Sequence, residues 1–213
     1  MSISIKLLES NAQISRKINK AIGQEVNKIF DRGSKRVAGR LRNLIPIWVN
    51  ESPEIQSLRA DGIPNTLNAE FGLDRGTSDI SVEAISLAIA QSIDFKITPF
   101  KRSLEKVNIQ FFVQPKTFEN LLGLPQGFST TFFGQKLHWM DWLLKQGTRT
   151  IVFGYEYQPG NAGRSGGGVM VGGGFWRVSP QFAGTETNNF ITRMFANKDR
   201  ELTKLLEGIF DGK

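Results

Sequence analysis

The only histidine in the chain, His138, sits in the run LHWMDWLL one helical turn before Asp141. At that spacing a carboxylate can orient an imidazole for general-base work, but the pair needs a nucleophile, and none is defined beside it. His138 therefore reads as a surface or interface histidine. The chain has no cysteine, which excludes disulfides, thiolate nucleophiles, iron–sulfur clusters and Cys-ligated zinc. A metal held with one histidine would need a cage of carboxylates, and the sequence has no Asp-rich loop of the calcium-binding kind. Paired Asp or Glu residues of the glycoside-hydrolysing type leave no sequence signature, and nothing in the chain supports such a pair. The expectation is a protein without catalytic residues, cofactor or metal, and so not an enzyme.

The segment PGNAGRSGGGVMVGGG, residues 159–174, holds eight glycines in 16 residues. A phosphate loop needs a Lys-Ser/Thr pair after its glycines at the mouth of a helix, and the dinucleotide fingerprint also runs into a helix. Here the sequel is Val169-Met170-Val171 and then Phe175-Trp176-Arg177-Val178, a strand pattern. The segment reads as a flexible hairpin arm, long for a plain turn and suited to touching a neighbour, with Arg164 beside Ser165 as its only charged anchor.

The 213 residues carry 27 basic and 20 acidic side chains, a net +7, with 39% hydrophobic and 22% charged residues. This is the balance of a globular protein, with length for one large domain or two small ones. The charge is localised. Residues 1–45 hold ten basic side chains (Lys6, Arg16, Lys17, Lys20, Lys28, Arg32, Lys35, Arg36, Arg40 and Arg42) against Glu9, Glu25 and Asp31, so 10 − 3 = +7 and the remainder is neutral. Such a segment suits an acidic partner: nucleic acid, an acidic protein face or a neighbouring copy. The aromatic residues, 16 Phe, 4 Trp and 2 Tyr, fall at strand or helix spacing and away from the basic segment. Stacking on nucleic acid, and with it a basic nucleic-acid-binding module, is therefore the alternative reading and not the first. The start, MSISIKLLES, lacks the layout of a signal peptide, and no apolar run is long enough to cross a membrane. A soluble protein used without export is expected.

The elements that must position these residues follow from spacing. Between Ile14 and Ile45 apolar or small residues recur in steps mostly of four, which predicts a helix capped by Ser10 or Asn11 and stopped at Pro46. It is too long for a small domain, so part of it must be covered from outside, or it must break at Gly33-Ser34. Ser52-Pro53 opens a short helix to about Ala60, residues 61–77 read as loop, and Asp79 caps a helix over 79–92. Ile93-Phe95-Ile97 and Val107-Ile109-Phe111-Val113 alternate as strands, as do the residues from Ile151 to Tyr157 and the run after the glycines. Helices are expected from about Lys116 to Leu122, over 135–146, and once or twice between Asn189 and Phe210. The fold class is α+β, a long N-terminal helix packed on an antiparallel sheet of about four strands with additional short helices. Nothing divides residues 1–213, so a single domain is expected, with residues 1–45 as a protruding basic amphipathic helix.

The runs WMDWLLKQGTRTIVFGYEY (139–157), GRSGGGVMV (163–171) and FWRVSPQFAGTETNNFITRMF (175–195) resemble the C-terminal half of tail-completion or neck proteins of tailed bacteriophages. The likeness lies in a W-x-x-W-L-L-x-x-G helix, a strand, an R-S-G glycine arm and a W-R-V-x-P-x-F-A-G-T closing segment in that order. It implies a non-enzymatic virion protein, assembled in the host cytoplasm, that forms a homo-oligomeric ring, hexameric or dodecameric, at the head–tail junction. It further implies contacts with an adjacent connector or adaptor and with a tail terminator or tail tube protein, a passing contact with DNA, and none with membrane. Carried residue by residue, the assembly interface would use Arg164, Ser165, Trp176, Arg177, Pro180, Phe182, Gly184, Thr185, Asn189 and Arg193. Trp176 and Phe182 have ordinary core as their competing reading, and Arg177 and Arg193 an ion pair within one subunit. The helix face of Arg16, Lys17, Lys20, Lys28, Lys35, Arg36, Arg40 and Arg42 reads as a protein contact, since a positive lumen would hinder sliding DNA.

Overall fold

The structure is a computed structural model and describes residues 9–99, 108–113, 115–131 and 134–209. Lys6, Val107 and Phe210, each read above from the sequence, lie outside the described residues.

Helix α1 spans Asn11–Glu51 as one unbroken element of 41 residues, about 60 Å at 1.5 Å per residue. Ser10 caps it in a reciprocal box. Its side chain accepts from the Gln13 backbone N–H while its own N–H donates to Gln13 Oε1 at 2.8 Å. Pro46 does not stop the helix, contrary to the sequence expectation. An interior proline costs about 3 kcal/mol, but the turn beyond it carries Trp48 and Val49, both fully buried, and each such side chain returns about 1.5–3 kcal/mol. Core packing outweighs the lost hydrogen bond. The helix ends instead at Ser52, held extended by Pro53. Nor does α1 break at Gly33-Ser34: Gly33 is where the chain near Ile209 crosses against it, and a Cβ there would overlap the Ile209 carbonyl oxygen.

Next come α2 (Pro53–Arg59), a short α3 (Leu67–Glu70) inside the stretch expected to be loop, and α4 (Ser78–Gln91). Strands β1 (Asp94–Thr98) and β2 (Asn108–Phe112) pair antiparallel with Phe95 opposite Phe111. After α5 (Glu119–Leu122), β3 (Ser129–Thr130) pairs with β4 (Lys136–Leu137), which takes the first residues of the helix expected over 135–146 and leaves α6 at Trp139–Leu144. β5 (Val152–Pro159) and β6 (Gly168–Trp176) form the longest hairpin, and α7 (Phe190–Ala196) and α8 (Asp199–Glu207) follow.

The class is α+β. Among the described residues the strands do not merge into one sheet of four; they form three separate two-stranded hairpins. The core explains why. It is built from Leu41, Ile45, Trp48 and Val49 of α1, Ile55 and Leu58 of α2, Val82, Ile85 and Ile89 of α4, Leu143 and Leu144 of α6, and Phe190 and Ile191 of α7. Among described strand residues only Trp176 supplies a buried large apolar side chain to it. Helices pack on helices, and the hairpins sit at the edges.

One part of the fold has no core. From Asn11 to Ile22 no residue of α1 is buried. Steps of four residues advance 400°, so the stripe drifts by about 40° per step. Between Ile18 and Phe30 it turns about 120°, which leaves Ile18, Ile22 and Ile29 in solvent while Phe30 and Val37 pack with Ile209.

Candidate assembly surfaces

The glycine-rich tip between β5 and β6 is docked on its own chain. Ser165 and Gly166 to Gly168 are buried. Arg75 Nε donates to the Ser165 carbonyl at 3.3 Å, Tyr157 Oη donates to the Gly167 carbonyl at 2.8 Å, and the Asn65 backbone N–H donates to Tyr157 Oη at 3.0 Å. A Cβ on Gly167 would stand 2.6 Å from Ala69 Cβ and 2.7 Å from the Ile63 carbonyl oxygen, and one on Gly166, at φ +72°, would overlap the Arg75 guanidinium. These glycines are small so that the tip can press against the loop around α3. The expectation of a flexible arm reaching a neighbour is corrected accordingly. Arg164 bonds the Thr130 carbonyl and lies 3.9 Å from Asp74, so it too is an anchor within the chain.

The closing segment is drawn inward in the same way. Trp176 is buried in an aromatic cluster, its ring centroid 5.3 Å from Trp142 and 6.0 Å from Phe71. Asn189 is buried as the N-cap of α7 and accepts from the Ile191 and Thr192 backbone. Gly184 is packed so tightly that a Cβ would overlap the Leu143 carbonyl oxygen, and Phe182 is half-buried on the core. Arg193 bonds Glu54 Oε1 through Nε at 3.0 Å and Nη2 at 2.5 Å, and reaches Asn188 Oδ1 at 3.1 Å. Its partner is therefore inside the same chain. Glu54 is itself buried on α2, a role the sequence did not reveal because 139 residues separate the two. Of the ten carried positions, Arg164, Arg177, Pro180 and Thr185 are exposed. Thr185 already closes a turn with Asn188 at 2.8 Å. Arg177 has no ion pair among the described residues.

The basic face of α1 divides into three. Arg36 and Arg42 donate to the carbonyls of Gly208 (3.3 Å) and Ile93 (3.0 Å), placing positive charge at the C-terminal ends of α8 and α4 where it is favoured. Lys17 pairs with Glu9, Lys28 with Glu25 at 2.8 Å and Lys35 with Asp31 at 2.8 Å, all exposed. Arg16, Lys20 and Arg40 are exposed and have no ion pair among the described residues. His138 is stacked on Phe128, centroids 4.1 Å apart, and Asp141 accepts from Gln146 at 2.6 Å; no hydrogen bond joins His138 to Asp141.

Two features had no sequence signal. A cavity of about 650 Å³ opens beneath the hairpin, walled by Phe71, Trp142, Tyr155, Val169 and Met170. Buried Glu70 lies in its lining. Ser179 Oγ donates to Glu70 Oε1 at 3.2 Å, while Oε2 has no hydrogen-bond partner. Burial pushes this carboxyl above the ordinary glutamate range, against the opposing pull of Ser179 and Trp176. Phe153, 76% exposed, pairs across the hairpin with exposed Phe175, just before a bulge at Gly154. Among the described residues no helix is long and apolar enough to cross a membrane and no cluster of His, Asp and Glu could hold a metal ion. Compared with protein-family models, curated proteins and solved structures, the chain matches none.

Proposed function

We propose that this chain is a non-enzymatic structural protein of the phage neck that assembles into a homo-oligomeric ring at the head–tail junction. The observation that carries the reading is the projecting part of α1, about 18 Å of helix without a buried residue, whose isoleucines face solvent at the spacing of a packing stripe. A monomer gains nothing from an exposed stripe of this kind, and an assembling subunit does. The motif likeness over residues 139–195 supplies the location; a docked glycine tip and an inward-facing closing segment then make that half the rigid body of the subunit. Adjacent connector and tail proteins are its expected partners.

The basic nucleic-acid module is the weaker reading. Of the nine basic residues on α1, Arg36 and Arg42 are spent on backbone carbonyls of the same chain, and Lys17, Lys28 and Lys35 each stand beside a carboxylate whose negative charge a phosphate backbone would meet as well, which lowers the net positive charge such a backbone would need. Electron microscopy of the purified protein, at low and moderate salt with and without duplex DNA, tests the choice. Closed rings indifferent to DNA support the neck reading. Single subunits that coat DNA and fall off steeply with salt refute it.

A further inference from the structure

We propose that copies of this chain join head to tail, the projecting α1 of one lying across α4 of the next. The inference rests on the assembly reading and names the two surfaces that meet. Two helices leave apolar stripes open. On α1 they are Ile18, Ile22 and Ile29, 52%, 44% and 50% exposed; on α4 they are Ile80 and Leu87, 60% and 58% exposed, with half-buried Ala84 between them. The α1 stripe is about 17 Å long and the α4 stripe about 10 Å, so the second fits within the first.

Their borders carry opposite charge. From Asn11 to Ile29, α1 bears Arg16, Lys17, Lys20 and Lys28 against Glu25, which is 4 − 1 = +3, whereas α4 has no basic residue and carries Asp79 and Glu83 beside its stripe. Asp79 is held by Arg59 at 3.0 Å, and Glu83 has no ion pair among the described residues. The pairs that Lys17 and Lys28 make on their own helix are exposed, worth little, and easily exchanged for a partner. Pairing α1 with a second α1 would instead set like charges side by side, which disfavours a symmetric dimer.

A single chain cannot satisfy both stripes. α4 turns Val82, Ile85 and Ile89 into the core it shares with Leu41 and Ile45 of α1, and Ile80 and Leu87 lie on the opposite face of the helix. Each copy therefore keeps one unfilled stripe of each kind. Contact between different patches repeats from copy to copy and closes into a ring when the rotation permits.

The chain has no native cysteine, so engineered pairs report this contact without background. Ile22→Cys and Leu87→Cys variants are purified singly, checked for native mass and circular dichroism, then oxidised alone and as an equimolar mixture. The expected result is a two-chain adduct in the mixture and in neither variant alone, with Glu83→Lys weakening assembly about tenfold and Lys28→Glu on the partner restoring it. An adduct from Ile22→Cys alone would overturn the proposal in favour of paired α1 helices. Oligomers that give no adduct in the mixture would overturn it and leave the assembly reading standing, and a chain monomeric at every concentration overturns both.

Discussion

Two glycines six residues apart in α1 make opposite predictions on replacement by alanine. Gly39 has nothing within 4 Å of where a Cβ would stand, whereas at Gly33 the Cβ would overlap the Ile209 carbonyl oxygen and lie 2.9 Å from Ile209 Cα, both backbone atoms that cannot swing aside. Gly39→Ala gains the helix preference of alanine, about 0.5–1 kcal/mol. Gly33→Ala gains the same but must push the Ile209 segment off the helix. Overpacking of this kind costs about 1–3 kcal/mol, and disturbing Ile209, 1% exposed against Phe30 and Val37, forfeits part of a further 1.5–3 kcal/mol. The net expectation is destabilisation by about 1–2 kcal/mol, which separates the two variants by about 1.5–3 kcal/mol. At about 2–4 °C per kcal/mol for a chain of this size, their melting temperatures differ by about 3–12 °C. Thermal circular dichroism at one fixed protein concentration reads this directly, since assembly makes Tm concentration-dependent. Gly33→Ala melting at or above Gly39→Ala would refute the placement of the C-terminal segment against α1.

Arg193→Ala strands the buried Glu54 carboxylate and is expected to cost roughly 3 kcal/mol, the low end for a broken buried pair because the Arg193 side chain is 33% exposed; replacing both partners, Glu54→Leu with Arg193→Met, recovers most of the loss in urea unfolding. Glu70 holds its proton above the ordinary glutamate range, so its folded form is favoured at low pH and that stability is lost as pH rises through the raised value. Glu70→Gln should match the wild type near pH 4, exceed it at neutral pH and flatten the Tm profile between; a parallel profile would contradict the buried, half-partnered carboxyl. Gly167→Val collides with Ala69 and the Ile63 carbonyl, and should turn a tip resistant to trypsin at Arg164 into a rapid cleavage site. Equal rates of cleavage in both proteins would contradict a tip held by close packing at Gly167.

Local chemistry carried much of the fold. Ser10, Ser52-Pro53 and the alternating runs around Phe95 and from Ile151 to Tyr157 mark their elements through interactions within a few residues, and the structure places α1, α2, β1 and β5 there. Expectations failed where a distant residue decides. Pro46 reads as a stop only if the burial of Trp48 and Val49 is unknown. Gly166 and Gly167 read as flexibility because their neighbours, Ile63, Ala69 and Arg75, lie about 90–105 residues earlier. The residues carried from the neck-protein likeness are mostly spent inside the chain, and the open apolar surfaces among the described residues instead include those of α1, α4 and Phe153 with Phe175. Exposed apolar residues at core spacing look like core in a sequence; only the drift of a four-residue repeat around the helix, 40° at a step, hints that Ile18 and Ile22 face away.

The central claim is that this exposed stripe holds an assembly together. The most direct test is the solution mass, by light scattering at matched concentrations, of the wild type and of a variant carrying Ile18→Asp, Ile22→Asp and Ile29→Asp. These positions lie in solvent in the single subunit, so the variant should keep its helix content and Tm as a monomer. A closed oligomer is expected for the wild type and a monomer for the variant, while equal masses for the two proteins, whether both monomeric or both assembled, would contradict assembly through the stripe.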